Sequence, residues 1–151
     1  MLGPIEVVGD AGPVRLGGEN ARAILAALML RRDRTLSSES LVHAVWERPP
    51  ATAGHAVAVY VSRLRRALAT AGADRERIVT RGAGYALEIE PKELDLELFR
   101  AAATRGRDAL GSRHWTTAWT TLSDALGMWR ATPLACLTTS PLIDLRVDLE
   151  E

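Results

Sequence analysis

Residues 56–68, Ala56-Val57-Ala58-Val59-Tyr60-Val61-Ser62-Arg63-Leu64-Arg65-Arg66-Ala67-Leu68, combine two incompatible faces in one short run. Wound as a helix at about 100° per residue, Val57, Val61, Leu64 and Leu68 fall on one narrow stripe that must be buried. The same wheel places His55, Val59, Ser62 and Arg66 on the opposite side, flanked by Thr52, Ala56 and Arg63. That second face mixes guanidinium, hydroxyl and small apolar groups. Such a mixture suits the major groove of a nucleic acid duplex, where Arg reaches guanine edges or phosphates and a short apolar group touches a thymine methyl. An ordinary amphipathic surface helix rich in Arg satisfies the same pattern.

The segment that follows favours the groove. A polar connection over residues 69–76 contains Gly72. Residues 77–89 then read as two short strands around Gly82-Ala83-Gly84, with the glycines marking a tight hairpin turn. Arg81 sits at the tip of this hairpin. A cation carried there, beside a groove-reading helix, is the layout of a wing that reaches a minor groove or the phosphate backbone. A nucleotide-binding loop is a poor match for the same glycines. The third glycine of the dinucleotide spacing is missing, and a strand pattern follows where a helix is required.

Other elements must position these two. Residues 2–8 and 13–16 alternate loosely around the turn Gly9-Asp10-Ala11-Gly12 and are expected to form a hairpin. Gly17-Gly18 breaks the chain, and residues 19–31 are predicted to form a helix with Ala21, Ile24, Leu25, Leu28 and Met29 inward. Arg31 and Arg32 at its carboxyl end suit the helix dipole. Thr35-Leu36 is an extended link, after which Ser37 or Ser38 can cap a helix whose apolar side is Leu41, Val42, Val45 and Trp46. Pro49-Pro50 stops that helix, and Thr52 is the expected N-cap of the groove-facing one.

Past Pro91 the pattern changes. Leu96, Phe99, Ala103 and Leu110 make one helical stripe; Trp115, Ala118, Trp119, Leu122, Leu126 and Trp129 make a denser one, separated by Gly111-Ser112. Two antiparallel helices with small residues and tryptophans at their contact read as one tetratricopeptide-like hairpin, in which aromatics at this spacing serve as core. After Pro133 and Pro141, the residues Leu142, Leu145 and Leu149 begin a third stripe that stops at Glu151, which suggests a fragment of a longer chain. An isolated repeat buries its faces poorly, so this half is expected to be marginal alone.

Composition excludes several classes. The 151 residues are 47% hydrophobic and 25% charged, with no apolar run long enough to span a bilayer and no signal-peptide pattern. The single cysteine, Cys136, cannot form an intramolecular disulfide and reads as a small buried hydrophobe, which suits a reducing cytoplasm. His43, His55 and His114 lie far apart, so no zinc constellation forms. Phosphate-loop, Gly-x-Ser-x-Gly and His-Glu-x-x-His motifs are absent from the sequence, and Asp148 and Glu151 sit on a charged terminus. The expectation is therefore a non-enzyme without metal or cofactor. The formal net charge is zero, yet residues 1–92 hold 13 Arg and Lys against 10 acids, while residues 93–151 hold 6 against 9. Residues 52–85 alone carry six Arg and two acids. Phosphate binding depends on such a local patch, and its modest size implies weak nonspecific affinity and reliance on paired sites.

Several motifs in the right order resemble the Streptomyces antibiotic regulatory protein (SARP) family. They are Tyr60-Val61-Ser62-Arg63-Leu64-Arg65-Arg66-Ala67-Leu68, the segment Ile78-Val79-Thr80-Arg81-Gly82-Ala83-Gly84-Tyr85, and the opening Leu2-Gly3-Pro4-Ile5-Glu6-Val7. Leu16-Gly17-Gly18, Leu41-Val42-His43-Ala44-Val45-Trp46 and Pro49-Pro50-Ala51-Thr52 fit as well. The resemblance implies an α+β winged helix-turn-helix of OmpR type over residues 1–91: N-terminal strands, three helices and a β-hairpin wing. The all-α, tetratricopeptide-like start of a bacterial transcriptional activator domain would follow over residues 92–151. It implies a cytoplasmic activator that binds direct-repeat promoter DNA, self-associates on tandem sites and recruits RNA polymerase holoenzyme at antibiotic biosynthesis genes. By the same resemblance Thr52, His55, Tyr60, Arg63 and Arg66 face the groove, with Arg81 in the wing; Val59 and Ser62 join them from the wheel. His55 departs from the cationic or amide side chain expected at its position. The rigid loop at Glu47-Arg48-Pro49-Pro50 is either a polymerase-facing surface, through Glu47 and Arg48, or a solvated turn. An alternative remains in which the helical half binds a protein partner and the winged helix does not read DNA.

Overall fold

The structure is a computed structural model that describes residues 1–32, 34–72, 76–135, 137, 141 and 142. Cys136, Leu145, Leu149, Asp148 and Glu151 lie outside the described residues. The chain divides into two compact units, one formed by residues 5–89 with 134–151 and the other by residues 1–4 with 90–133.

The larger unit opens with an antiparallel pair, β1 (Val7–Gly9) and β2 (Gly12–Val14), in which Gly9 faces Gly12. The hairpin is shorter and its turn tighter than the sequence suggested. Helix α1 (Glu19–Leu30) follows, with Ala21, Ala23, Ile24, Leu25, Ala26, Ala27 and Leu28 all buried. A helix covered on so many sides is the centre of its unit. Strand β3 (Leu36–Ser37) leads into α2 (Ser38–Val45), whose cap is Ser37: its hydroxyl accepts from the Ser40 backbone N–H at 3.0 Å. Helix α3 (Ala53–Thr70) buries Ala53, Val57, Val61, Leu64 and Leu68, the stripe read from the sequence. Thr52 does not cap it by its side chain. Its backbone stands at φ −93°, ψ 8°, already turned rather than extended, so the hydroxyl is not aimed at the free N–H groups of the first turn.

Strands β4 (Ile78–Arg81) and β5 (Gly84–Leu87) form the hairpin, and β3 joins its other edge to give the antiparallel order β3-β5-β4. The extended link expected at Thr35-Leu36 is thus a strand paired to the wing, Leu36 facing Tyr85 and Ser37 facing Gly84. The two hairpin glycines have different reasons. Gly82 adopts φ +57°, the left-handed region. Gly84 does not; a Cβ there would collide with the carbonyl of Leu36, so only glycine lets β3 approach.

The smaller unit has a 3-10 turn at Pro91–Glu93, helix α4 (Asp95–Gly111) and helix α5 (Trp115–Gly127). The two helices meet through small residues: Ala102, Ala103, Gly106, Ala118 and Ala125 are buried. A Cβ on Gly106 would lie 2.5 Å from Leu122 Cγ. Axes this close leave no room for indoles between them, and only part of the expected aromatic core is there. Trp115, Trp119 and Leu126 are 63%, 75% and 67% exposed. Trp129, just past the helix, is half-buried and packs edge-on against Phe99 at 5.6 Å. In the same unit the α-amino group of Met1 donates to both carboxylate oxygens of Asp95, at 2.6 and 2.5 Å.

Candidate nucleic-acid interface

Helix α3 is long enough to serve two surfaces because its buried stripe is narrow. With Val57, Val61, Leu64 and Leu68 buried, the opposite side is left to solvent. Thr52, His55, Ser62, Arg63 and Arg66 are all exposed, and Val59 is half-buried. Arg66 reaches back one turn, its Nη2 donating to Ser62 Oγ at 3.5 Å. The helix therefore presents two guanidinium groups, an imidazole and hydroxyls on one continuous face, with no acidic residue between Ala53 and Thr70.

Tyr60 is placed differently from the others in the expected set. It borders the buried stripe, half-buried, with its ring centroid 6.5 Å from that of Trp46. Its hydroxyl accepts from Asn20 Nδ2 at 3.3 Å. Tyr60 thus links α3 to α1 and to the end of α2, and any contact it makes outside the unit is made from that anchored position.

Arg65 borders the stripe on its other side, and the sequence reading gave it no role beyond its charge. Its Nε donates to the Ile78 carbonyl at 2.7 Å and lies 2.6 Å from Glu76 Oε1. Its Nη2 donates to Thr80 Oγ1 at 2.9 Å, and its guanidinium stands 5.8 Å from the centre of the Tyr85 ring. One side chain thereby fastens the wing to the helix. The signal was present: an arginine at the border of four buried aliphatics is partly covered, and its guanidinium is placed to find partners on the neighbouring element.

Arg81, at the end of β4, is exposed, but its guanidinium is not held at the hairpin tip. Its Nη2 donates to Glu88 Oε1 at 2.6 Å. Glu47 and Arg48 are exposed in the loop between α2 and α3, as are Pro49 and Pro50. Among the described residues there is no group of three or more His, Cys, Asp or Glu side chains able to hold a metal ion. None of the described helices is long and apolar enough to cross a membrane.

Comparison with known proteins gives this geometry a context. Residues 13–87 match the family described as transcriptional regulatory protein, C terminal, and residues 94–151 match the bacterial transcriptional activator domain. The transcriptional regulatory protein MoaR1 of Mycobacterium tuberculosis is 35% identical over 148 residues, covering 96% of this chain and 48% of that protein. The regulatory protein AfsR of Streptomyces griseus is 32% identical over 152 residues, covering 100% of this chain and 15% of that protein. A solved structure of Mycobacterium tuberculosis EmbR in complex with a low-affinity phosphopeptide superposes with a TM-score of 0.93 at 34% identity, covering 99% of this chain and 40% of that one. The chain thus spans about half, or less, of the length of the relatives it matches.

Proposed function

Because the chain belongs to the SARP-type family of transcriptional regulators, with an OmpR-type winged helix joined to a bacterial transcriptional activator domain, we propose that it binds promoter DNA through α3 and the wing and activates transcription. The observation that carries this reading is the division of α3: its aliphatic stripe is fully used by the core while Ser62, Arg63 and Arg66 stand exposed together. A helix fixed by its back and cationic on its front is the minimal device for major-groove reading. Thr52, His55, Val59 and Tyr60 complete the groove-facing set, and Arg81 supplies the wing cation. Residues 1–91 are the reader and residues 92–151 the beginning of the activator segment.

The modest local charge favours cooperative occupation of direct repeats over tight binding to one site. RNA polymerase holoenzyme is the partner for activation, met in part at Glu47 and Arg48, which lie exposed on the loop that enters α3. The target genes that this reading takes up are the antibiotic biosynthesis genes implied by the SARP resemblance. Such work takes place in the cytoplasm, at the nucleoid.

Mobility shift on a promoter fragment bearing tandem sites tests the reading, together with Arg63→Ala and Arg66→Ala. If Arg63 reads a base, its loss costs about 1–3 kcal/mol and relaxes preference at one position. If Arg66 holds a phosphate, its loss weakens all sequences evenly and lowers the salt slope by about one unit. Wild-type binding by both variants would remove α3 from the interface. A Glu47→Ala, Arg48→Ala double variant should keep promoter binding and lose activation in vitro; full activation would return the loop to the status of a solvated turn.

A second reading has one observation in its favour. Trp115, Trp119 and Leu126 are exposed on one side of α5, and large apolar groups clustered on a surface mark contact with another protein. In that reading the helical half is the working part and the promoter fragment is not shifted at moderate salt.

A further inference from the structure

The wing carries a restraint on its own cation. Arg81 faces Gly84 in the hairpin register, at the turn, whereas Glu88 lies one residue beyond the Ile78–Leu87 pair, where its backbone N–H donates to the Arg77 carbonyl at 2.8 Å. The two residues stand at opposite ends of the hairpin, on the order of 13 Å apart along the strands. Side chains alternate across a strand, so Arg81, Val79, Ala86 and Glu88 share one face. Arg81 uses the full length of its side chain to fold back along that face and place Nη2 at 2.6 Å from Glu88 Oε1. The pair is open to solvent, with Arg81 58% and Glu88 32% exposed, so it can be broken by another anion.

We propose that Glu88 is an internal competitor for the nucleic acid phosphate that Arg81 would hold, so that the wing of the free protein is closed on itself and opens only on DNA. The inference rests on the DNA-binding reading given above and concerns the regulation of that same surface. A phosphate at the hairpin tip requires the guanidinium to leave Glu88 and swing forward. Binding then exchanges one ion pair for another, and it leaves the Glu88 carboxylate without its guanidinium. The wing contributes less affinity than its cation would alone, which suits a protein that must reject isolated sites and respond to paired ones.

The test uses the 151-residue chain in four forms: wild type, Glu88→Gln, Arg81→Ala and the two combined. Each is titrated with a labelled duplex of mixed sequence across a salt series, since a phosphate contact needs no particular operator. Glu88→Gln keeps the shape of the side chain and should bind about two- to five-fold tighter at low salt, the range of an exposed ion pair. Its salt slope should steepen by up to about one unit. Arg81→Ala should cost more affinity in the Glu88→Gln background than in the wild type. An equal gain from Glu88→Gln with or without Arg81 would show a general charge effect and overturn the proposal. Unchanged affinity in Glu88→Gln would overturn it as well, leaving the DNA-binding reading intact if the wild type binds. Absence of binding by all four forms would remove both, whereas binding by Glu88→Gln alone would support the restraint in its strongest form.

Discussion

The two units solve the packing of helices in opposite ways: the helices of the winged-helix unit meet through large aliphatic side chains, whereas α4 and α5 of the helical unit meet at small residues and leave two tryptophans facing outward. In the first, Ile24, Leu25, Leu28, Leu41, Val57, Val61, Leu64 and Ile78 are covered almost completely. In the second, α4 and α5 approach at Gly106, alanines line the contact, and Trp115 and Trp119 stand in solvent. The difference teaches where each unit keeps its chemistry. A deep aliphatic core frees one face of α3 to carry cations. A close helix pair instead leaves a bare apolar face on α5.

The contrast breaks most visibly under truncation of large side chains. Leu64→Ala should destabilise the winged-helix unit by about 2–5 kcal/mol, through lost burial and a residual cavity. Trp119→Ala, a larger deletion on the other unit, should change stability by no more than about 0.5 kcal/mol, because its ring is already in water. Urea denaturation of both variants checks the pair. A tryptophan deletion as costly as the leucine deletion would mean that the indole is covered in the folded protein.

Adding volume should reverse the ranking. Gly106→Leu forces a side chain into the space of Leu122 and should cost about 1–3 kcal/mol, with the helices pushed apart. The loss of helical circular dichroism on heating measures it. An unchanged midpoint would show that the close approach of α4 and α5 is loose enough to yield.

Asp95 anchors the helical unit by charge rather than by packing. Burial alone would push its carboxyl up, but hydrogen bonds from the Met1 α-amino group and the Leu2 and Leu96 N–H groups, with the amino group's charge, hold it below the ordinary carboxylate range. A carboxyl with a depressed folded pKa adds stability above its unfolded value of about 3.9, lost as pH falls through the folded one. Asp95→Asn should therefore lower stability at neutral pH and flatten its decline in acid. A variant that kept the wild-type acid profile would assign that decline to other carboxylates.

How much of this could be read from the sequence depends on the same contrast. The stripe of α3 was legible because four aliphatics lie within a narrow arc and the residues opposite are too polar to bury. The fold of the winged helix followed from that stripe, the hairpin glycines and the family resemblance. The buried face of α5 was legible only in part. Of the expected stripe, Ala118 is buried, Leu122 lies against Gly106 and Trp129 packs on Phe99, whereas Trp115, Trp119 and Leu126 face solvent and Ala125 is buried in their place. What decides is a glycine on another helix, and hydrophobic periodicity gives small residues too little weight to find it. The Arg81–Glu88 pair was hidden for a different reason. It depends on hairpin register and on one side chain folding backward, neither of which residue spacing encodes.

The smallest expected effect is also the cleanest comparison between the units, because it involves nearly the same positive φ in each. Gly82 turns the wing hairpin at φ +57°, and Arg113 turns the chain between α4 and α5 at φ +60°. An L side chain pays about 1 kcal/mol to sit in this left-handed region, because Cβ crowds the following carbonyl. Gly82→Ala should therefore destabilise the winged-helix unit by about 1 kcal/mol; a Cβ there has no neighbour within 4 Å, so the cost is conformational rather than steric. Arg113→Gly relieves the same strain in the helical unit but gives back part of the gain as extra entropy of the unfolded chain. A rise of roughly 0.5 kcal/mol remains. Denaturation midpoints of the two variants should move in opposite directions by unequal amounts. A fall in the midpoint of Arg113→Gly would show that the arginine side chain does more for the turn than its backbone strain costs.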